Sequence, residues 1–272
     1  MKELLLQRLN EDCSAVITIN GVHILFDPWL VNSEIDGSTL FNEAWHVEPV
    51  ASIAEVNEMD IDLICVSLPF ADHCHEETLA VLKCETPILC NQETASILRK
   101  KGFDDGKRVI TIPQYPSFGK CTVEGCSLSF SFLAPNGLLD LTHGGIVIKS
   151  QISRRRQEHV MWAPHGIKLG GNHPFRDQLL TSSWALIATT FSAYRLPLVL
   201  GGTVNLGLDD GVAFVEQLKP RIVIDIHSER KASRGLVPLV ANPEYPSERE
   251  KQEALGKCYV ACHGLDLVDL LA

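Results

Sequence analysis

Long apolar runs are absent from this chain of 272 residues. None approaches the roughly 20 residues that a membrane helix needs, so no membrane is an expected partner. The apolar stretch from Leu4 to Leu6 is interrupted by Gln7, Arg8 and Asn10, too soon for a secretory signal. Cations are scarce: 24 Lys and Arg stand against 34 Asp and Glu, a net charge of −10. Phosphate binding needs a basic surface, so no nucleic acid is expected either. The basic cluster Arg154-Arg155-Arg156 reads as a solvated turn between two strands. Cys-x-x-Cys pairs are missing. Nine cysteines without such a pair or an export signal read as reduced thiols in a core, and a cytoplasmic location is the matching expectation. No Gly-x-Ser-x-Gly elbow occurs and no cysteine has an activating partner nearby in sequence, which argues against a serine or cysteine hydrolase. Gly201-Gly202-Thr203 lacks the lysine and spacing of a phosphate loop and reads as a tight turn.

What is present is a succession of short apolar segments. Residues 15–19 and 22–26, joined by Asn20-Gly21, predict a hairpin, because Asn-Gly suits a two-residue turn. Residues 31–49 lack periodicity and read as an excursion over the surface. A helix is expected over 52–59, a strand over 61–66, a helix over 76–83 and a strand over 87–90. The helix expected over 92–101 stops at Gly102. Strands follow at 109–112, 120–123, 128–133, 145–150 and 159–162. Residues 182–190 suit helix or buried strand. A helix over 209–217, a strand over 221–226 and a last strand over 257–262 complete the pattern. Two sheets packed face to face with helices outside, a four-layer α/β sandwich, accommodate this order. With no repeat, low-complexity tract or composition break, one domain is expected.

Four of these strands end in residues that can bind a metal. Asp27 follows 22–26; His165 follows 159–162; His227 follows 221–226. The fourth strand leads into Ser67-Leu-Pro-Phe-Ala-Asp-His-Cys-His75. A loop spaced His-x-His-x-Asp-His gathers imidazoles and a carboxylate around a divalent ion. Here Leu68 and Phe70 hold the first two positions and cannot ligate, while Asp72 and His73 remain. His75 reads as an exposed residue at the helix start, with a ligand role as its alternative, and Cys74 as core packing. His143, before Gly144-Gly145, is a candidate pocket residue or replacement ligand. His46 is a candidate for the mouth of a site, His173 sits in a loop suited to cover one, and His23 reads as structural.

Taken in order, these parts resemble the metallo-β-lactamase fold, in particular the branch similar to L-ascorbate-6-phosphate lactonase. The resemblance rests on Ile24-Leu-Phe-Asp-Pro-Trp-Leu30 and on residues 64–79, 159–166, 208–227 and 257–270, nearly the whole chain. It implies a four-layer αββα sandwich. Members typically carry two zinc or similar ions and hydrolyse esters, lactones, amides or phosphodiesters. Carried over residue by residue, the resemblance implies that the first metal position is lost with Leu68 and Phe70, and residues 134–142 supply no histidine for it. Asp72, His73 and His227 match the second position, and His165 stands where a bridging aspartate is usual. That set suits one divalent ion, zinc or iron, with an open position. Asp72 is then also the catalytic candidate, Asp27 orients a ligand, and His75 and His143 flank the pocket.

The implied activity is one-metal hydrolysis of a small ester, lactone or phosphoester. The alternative is a metal-free descendant of the fold that binds a ligand or protein partner. In that case the apolar bulk of Leu68 and Phe70 dries the site, Asp72 caps the helix beginning near Cys74, and backbone groups satisfy the histidines. Residues 31–49 and 166–181 would set the substrate; Phe41, Trp45 and Phe175 with few cations favour a neutral or partly apolar one.

Overall fold

The computed structural model describes residues 1–83, 85–103, 108–123, 125–137, 140–153, 156–265 and 267–271. Cys84, Arg154 and Arg155 lie outside them; Arg156 pairs with Glu158 at 2.6 Å. Among the described residues no helix is long and apolar enough to cross a membrane.

The hairpin forms where Asn-Gly places it. Ala15–Ile19 and Val22–Phe26 pair in register around Asn20 (φ +52°) and Gly21 (φ +85°), the left-handed pair that a tight hairpin turn requires. It sits inside a seven-stranded sheet ordered Leu267–Asp269, Leu4–Arg8, Ala15–Ile19, Val22–Phe26, Leu63–Val66, Ile88–Cys90 and Val109–Thr111. From Val22–Phe26 onward these neighbours run parallel. The second sheet has six strands, ordered Ile222–Asp225, Trp184–Thr189, Arg156–Ala163, Gly145–Ser153, Cys126–Leu133 and Gly119–Val123. Its first three strands are parallel. Residues 182–190 thus resolve as strand: all six side chains of Trp184–Thr189 are buried, as a parallel strand covered on both faces demands.

The apolar residues sort into layers. Leu6, Ile17, Phe26, Phe130, Ile146 and Trp162 fill the space between the sheets. Val56, Leu79, Leu82, Ala95 and Leu98 bring three helices onto the outer face of the seven-stranded sheet. Leu179, Phe214 and Leu218 bring helices Arg176–Thr181 and Leu208–Leu218 onto the outer face of the other. The result is the four-layer αββα sandwich.

Three expectations change. Residues 31–49 are not a bare excursion: Glu34–Asp36 and Asn42–Trp45 pair with each other and with Ala232–Arg234. The strand expected over 257–262 is replaced by a 3-10 turn, Gly256–Cys258, and one bridge from Tyr259 to Val223; the closing strand is Leu267–Asp269. The helix Glu76–Val81 is capped by His75, whose side chain accepts from the Thr78 amide, not by Asp72.

Candidate metal centre

Parallel strands expose their carboxyl ends at one edge of each sheet, and loops leaving those ends meet there. Asp27, the loop from Ser67 to His75, His165 and His227 all leave such ends. Because Arg8 pairs with Ala15 and Ala15 with Phe26, the turn from Leu9 to Ser14 reaches the same edge beside Asp27. That turn adds Asp12, held in place as Asn10 Oδ1 accepts from the Asp12 and Ser14 amides, both at 3.0 Å.

Asp27 is fully buried and sits at φ +42°, an uncommon conformation for a residue with a side chain. Its carboxylate accepts from the Ser67 amide at 2.7 Å, the Ser67 hydroxyl at 2.6 Å, the Trp162 indole at 2.8 Å and His73 Nδ1 at 3.2 Å. His165 Nδ1 donates to the Val204 carbonyl at 3.2 Å. His227, at φ +62°, donates from Nδ1 to Asp12 Oδ1 at 2.6 Å. Every one of the three rings is therefore anchored through Nδ1 to an oxygen, which leaves each Nε2 toward the interior of the site. His73 Nε2 lies 2.8 Å from His165 Nε2 and 3.5 Å from Asp72 Oδ1. His227 Nε2 lies 3.6 Å from Asp72 Oδ2. Ring centroids are 4.7 to 5.1 Å apart among the three histidines.

An imidazole fixed at one nitrogen by a carboxylate or carbonyl, with the other nitrogen aimed at a carboxylate, is how metal-binding histidines are prepared. Of the four residues carried over as ligands from the resemblance, His73 and His227 face Asp72 in this way, while His165 Nε2 faces His73 Nε2 instead. Three imidazoles and a carboxylate are donor types that divalent ions take. Among the described residues, the triads whose ligand atoms all lie within 4.8 Å of one another are Cys13, His73 and His227, and Asp12, Asp72 and His227; His165 is in neither.

One cation is already part of the cluster. Lys231 Nζ lies 2.9 Å from Asp12 Oδ2 and 3.1 Å from Asp72 Oδ2, and 4.9 Å from the centre of the Trp29 ring. The charges adjust accordingly. Burial works to raise the Asp72 pKa, but His73, Lys231 and His227 together hold it well below the carboxylate range. Burial works against protonation of His73, yet the Asp72 and Asp27 carboxylates outweigh it and raise its pKa to about 9. For His165 burial prevails, joined by repulsion from His227 and His73, and its pKa falls well below the ordinary value. A protonated His73 donating to a neutral His165 accounts for their short contact.

The other expected positions are distributed differently. His75 is buried rather than exposed, bonded to Thr78 and 3.2 Å from the Ser33 carbonyl, and is not among the residues lining the cleft. His143 is buried with Nδ1 2.7 Å from Asp140 Oδ1, and its Nε2 has no partner. His46 stacks on Trp29 and bonds Glu229; His173 is buried in its own loop. Leu68 belongs to the core between the sheets, while Phe70 lies edge-on to His165 at 6.1 Å. A cleft of about 1770 Å³ opens over the cluster, lined by Asp72, His165, His227 and Lys231. Phe41, Phe70, Tyr194, Tyr245 and Leu196 supply apolar wall; Glu34, Asp36 and Asp140 supply acids.

Asp12 and Lys231 escaped the sequence reading. The hairpin register, which sets the turn from Leu9 to Ser14 beside Asp27, was the signal for Asp12. Lys231 had none, since its position depends on the turn that His227 makes at positive φ.

No protein-family model matches the chain, and no curated protein matches it. Solved structures do. A metallo hydrolase from the archaeon Ignicoccus hospitalis matches at 13% identity over 98% of each chain, TM-score 0.64. Isothiocyanate hydrolase from Delia radicum gut bacteria matches at 14% identity over 97% of this chain and 98% of that one, TM-score 0.66. A diiron beta-hydroxylase from Streptomyces venezuelae matches at 15% identity over 99% of this chain but 54% of its own, TM-score 0.64. At such identities the likeness is one of fold, and the fold is that of the metallo-β-lactamase type.

Proposed function

We propose that this chain is a one-metal hydrolase of a small neutral ester or lactone. The observation that carries the reading is the convergence of His73 and His227 on Asp72, with His165 Nε2 against His73 Nε2 and each ring anchored through Nδ1 by Asp27, Asp12 or the Val204 carbonyl. Asp72, His73, His165 and His227 would hold the ion, and this nitrogen-rich set suits zinc. When bound, the ion supplies Lewis acidity and an activated water.

The remaining chemistry belongs to the chain. Asp27 and Asp12 fix ring orientation and tautomer. Lys231 presents a fixed ammonium on the cleft wall. Glu34 lines the same cleft, and burial together with the Asp72 charge raises its pKa to about 9. It is therefore protonated at neutral pH and can serve as a proton donor to a leaving group. Phe70 shields the His165 edge from water.

Acidic side chains outnumber Lys168 and Lys231 along the cleft, and both lysines already face carboxylates. That balance favours a neutral, partly apolar substrate over a phosphoester, so within the lactonase-like branch a phosphorylated lactone is the less suited substrate. The same balance speaks against nucleic acid as a partner. All eight described cysteines are free, which supports a reducing compartment such as the cytoplasm.

One observation favours the metal-free binding role as second reading: Lys231 and a protonated His73 already neutralise the carboxylates. The deciding experiment measures bound zinc, iron and manganese after reconstitution, alongside hydrolysis of neutral esters and lactones, for the native chain and His227→Ala. The proposal expects about one equivalent of metal with hydrolysis, both lost in the variant. No retained metal in the native chain would overturn it.

A further inference from the structure

The four most exposed large apolar side chains among the described residues are Leu198 (92%), Val199 (91%), Leu40 (84%) and Leu239 (82%). They are not scattered over the surface. All four lie on segments that border the cleft, since Leu196, Leu198 and Leu200 line it, as do Phe41, Val237 and Pro238. Single exposed apolar residues need no explanation, whereas a cluster of them at the mouth of a cleft marks a binding groove.

Both segments are held by the backbone. Ala193–Arg195 and Thr203–Leu206 pair as an antiparallel hairpin, and the 3-10 turn Leu198–Leu200 sits at its tip. The base of the hairpin is tied to the histidine cluster. The Val204 carbonyl accepts from His165 Nδ1 at 3.2 Å, and the Leu206 amide donates to the His165 carbonyl at 3.3 Å. Leu200 is four residues from Val204, so the apolar tip begins no more than about 14 Å from that anchor. In the other segment, the Leu236 amide donates to the Leu40 carbonyl at 3.0 Å and the Val237 amide to the Phe41 carbonyl at 2.9 Å. The charge that the hairpin carries is paired, Arg195 with Glu244 at 2.6 Å.

We infer that the wall formed by Leu196, Leu198, Leu200, Phe41 and Val237 is a subsite for an unbranched alkyl chain of the substrate. The inference rests on the hydrolase reading above and names the substrate class within it: an ester or lactone that bears a medium-length alkyl chain. The size of the cleft agrees. Pockets for drug-sized ligands measure about 300–1,000 Å³, and a cleft of about 1770 Å³ has room for such a tail beyond the histidine cluster. The reacting carbonyl lies at the cluster, and the alkyl chain runs along the hairpin toward its tip, where it covers Leu198. A second copy of the protein would call for a flat apolar face. Here the apolar residues continue from the rim into a concave cleft that reaches His165.

The test has two arms. The first measures kcat/KM of the zinc-reconstituted protein for p-nitrophenyl acetate, butyrate, hexanoate and octanoate. Burying a methylene fully is worth about fourfold in affinity, and half-burying it about twofold. The expected rise is therefore about two- to fourfold for each added methylene, carried by KM. The second arm titrates 1-butanol, 1-hexanol and 1-octanol into the protein by calorimetry, and the same rise in affinity is expected without any hydrolysis. In Leu198→Ser/Leu200→Ser the octanoate-to-acetate ratio should fall about tenfold. Leu198→Ser alone, at a solvent-facing position that folding does not depend on, should lower it in the same direction. Leu267→Ser, at the edge of the seven-stranded sheet, should leave it unchanged. Flat length dependence in both arms would overturn the inference. So would a native dimer in sedimentation that Leu198→Ser dissociates, because the wall would then be an interface between copies. Length-dependent alcohol binding without hydrolysis of any ester would overturn the hydrolase reading and leave the alkyl subsite standing, so the two failures are separate.

Discussion

Replacing Asp27 by alanine removes the acceptor on which the site is hung. Four buried donors converge on that carboxylate: the Ser67 amide, the Ser67 hydroxyl, the Trp162 indole and His73 Nδ1. The hydroxyl can rotate toward another acceptor, and His73 can give up its proton. The amide and the indole can do neither, because both are fixed by backbone and core packing. Each buried donor left without an acceptor costs about 1–3 kcal/mol, so Asp27→Ala should destabilise by roughly 2–6 kcal/mol. Against a total stability of about 5–15 kcal/mol, that is a large share. Asp27→Asn keeps an amide oxygen and tolerates the positive φ better than alanine does, so its cost should be clearly smaller. Urea denaturation followed by tryptophan fluorescence reads both, since Trp162 stacks on Phe26 at a centroid distance of 4.5 Å in the core. An Asp27→Ala cost below about 1 kcal/mol, or an Asn variant as damaged as the Ala variant, would refute the hydrogen-bond reasoning.

The metal-free protein should lose thermal stability on either side of neutral pH. Burial lowers the pKa of His165, His143, His75, His159 and His173. Their folded-state values lie below the unfolded value of about 6.5, so the stability they carry is present above that pH and is lost as pH falls through the folded values. His73 works the other way: raised to about 9, it contributes fully below pH ~6.5 and loses its contribution as pH rises through about 9. Glu34 and Asp36, whose pKa values are also raised, add to the alkaline loss and offset only part of the acid-side loss carried by the five histidines. A melting temperature that is flat, or that rises from pH 7 toward pH 5, would contradict this. Gly145→Ala should be poorly folded, because a Cβ there would clash with the Trp162 carbonyl oxygen and meet the Ala163 Cα at 3.0 Å, both backbone; overpacking of this kind costs about 1–3 kcal/mol or more. Melting of the purified variant within a degree of the native chain would show that the strands spread freely at this point.

Much of the layered architecture is legible in the sequence because its strands carry strong local signals. Asn20-Gly21 marks its own turn, and the segments before Asp27, Ser67 and His227 are short, mostly apolar runs bounded by turn residues, as covered parallel strands are. Ligand-type residues at four strand ends follow from that reading, since those ends share one edge. Two kinds of feature are not legible. Glu34–Asp36 and Asn42–Trp45 are too short to show a period, and their third partner, Ala232–Arg234, lies far along the chain. Residues 257–262 have the apolar content of a strand, yet they touch the second sheet through a single bridge at Tyr259, while the less apolar segment Leu267–Asp269 takes the sheet edge beside Leu4–Arg8. At the site, His75 illustrates the same limit: a polar residue at a helix start reads as exposed, whereas the Thr78 amide and the Ser33 carbonyl hold it inside. Lys231 depends on tertiary contacts alone.

Anomalous scattering from crystals of zinc-reconstituted protein, recorded on both sides of the zinc edge, tests the central claim most directly. The account predicts one zinc peak, enclosed by Asp72, His73, His165 and His227, with Lys231 still on Asp12. No peak among those four residues, or two peaks in the native chain, would contradict it.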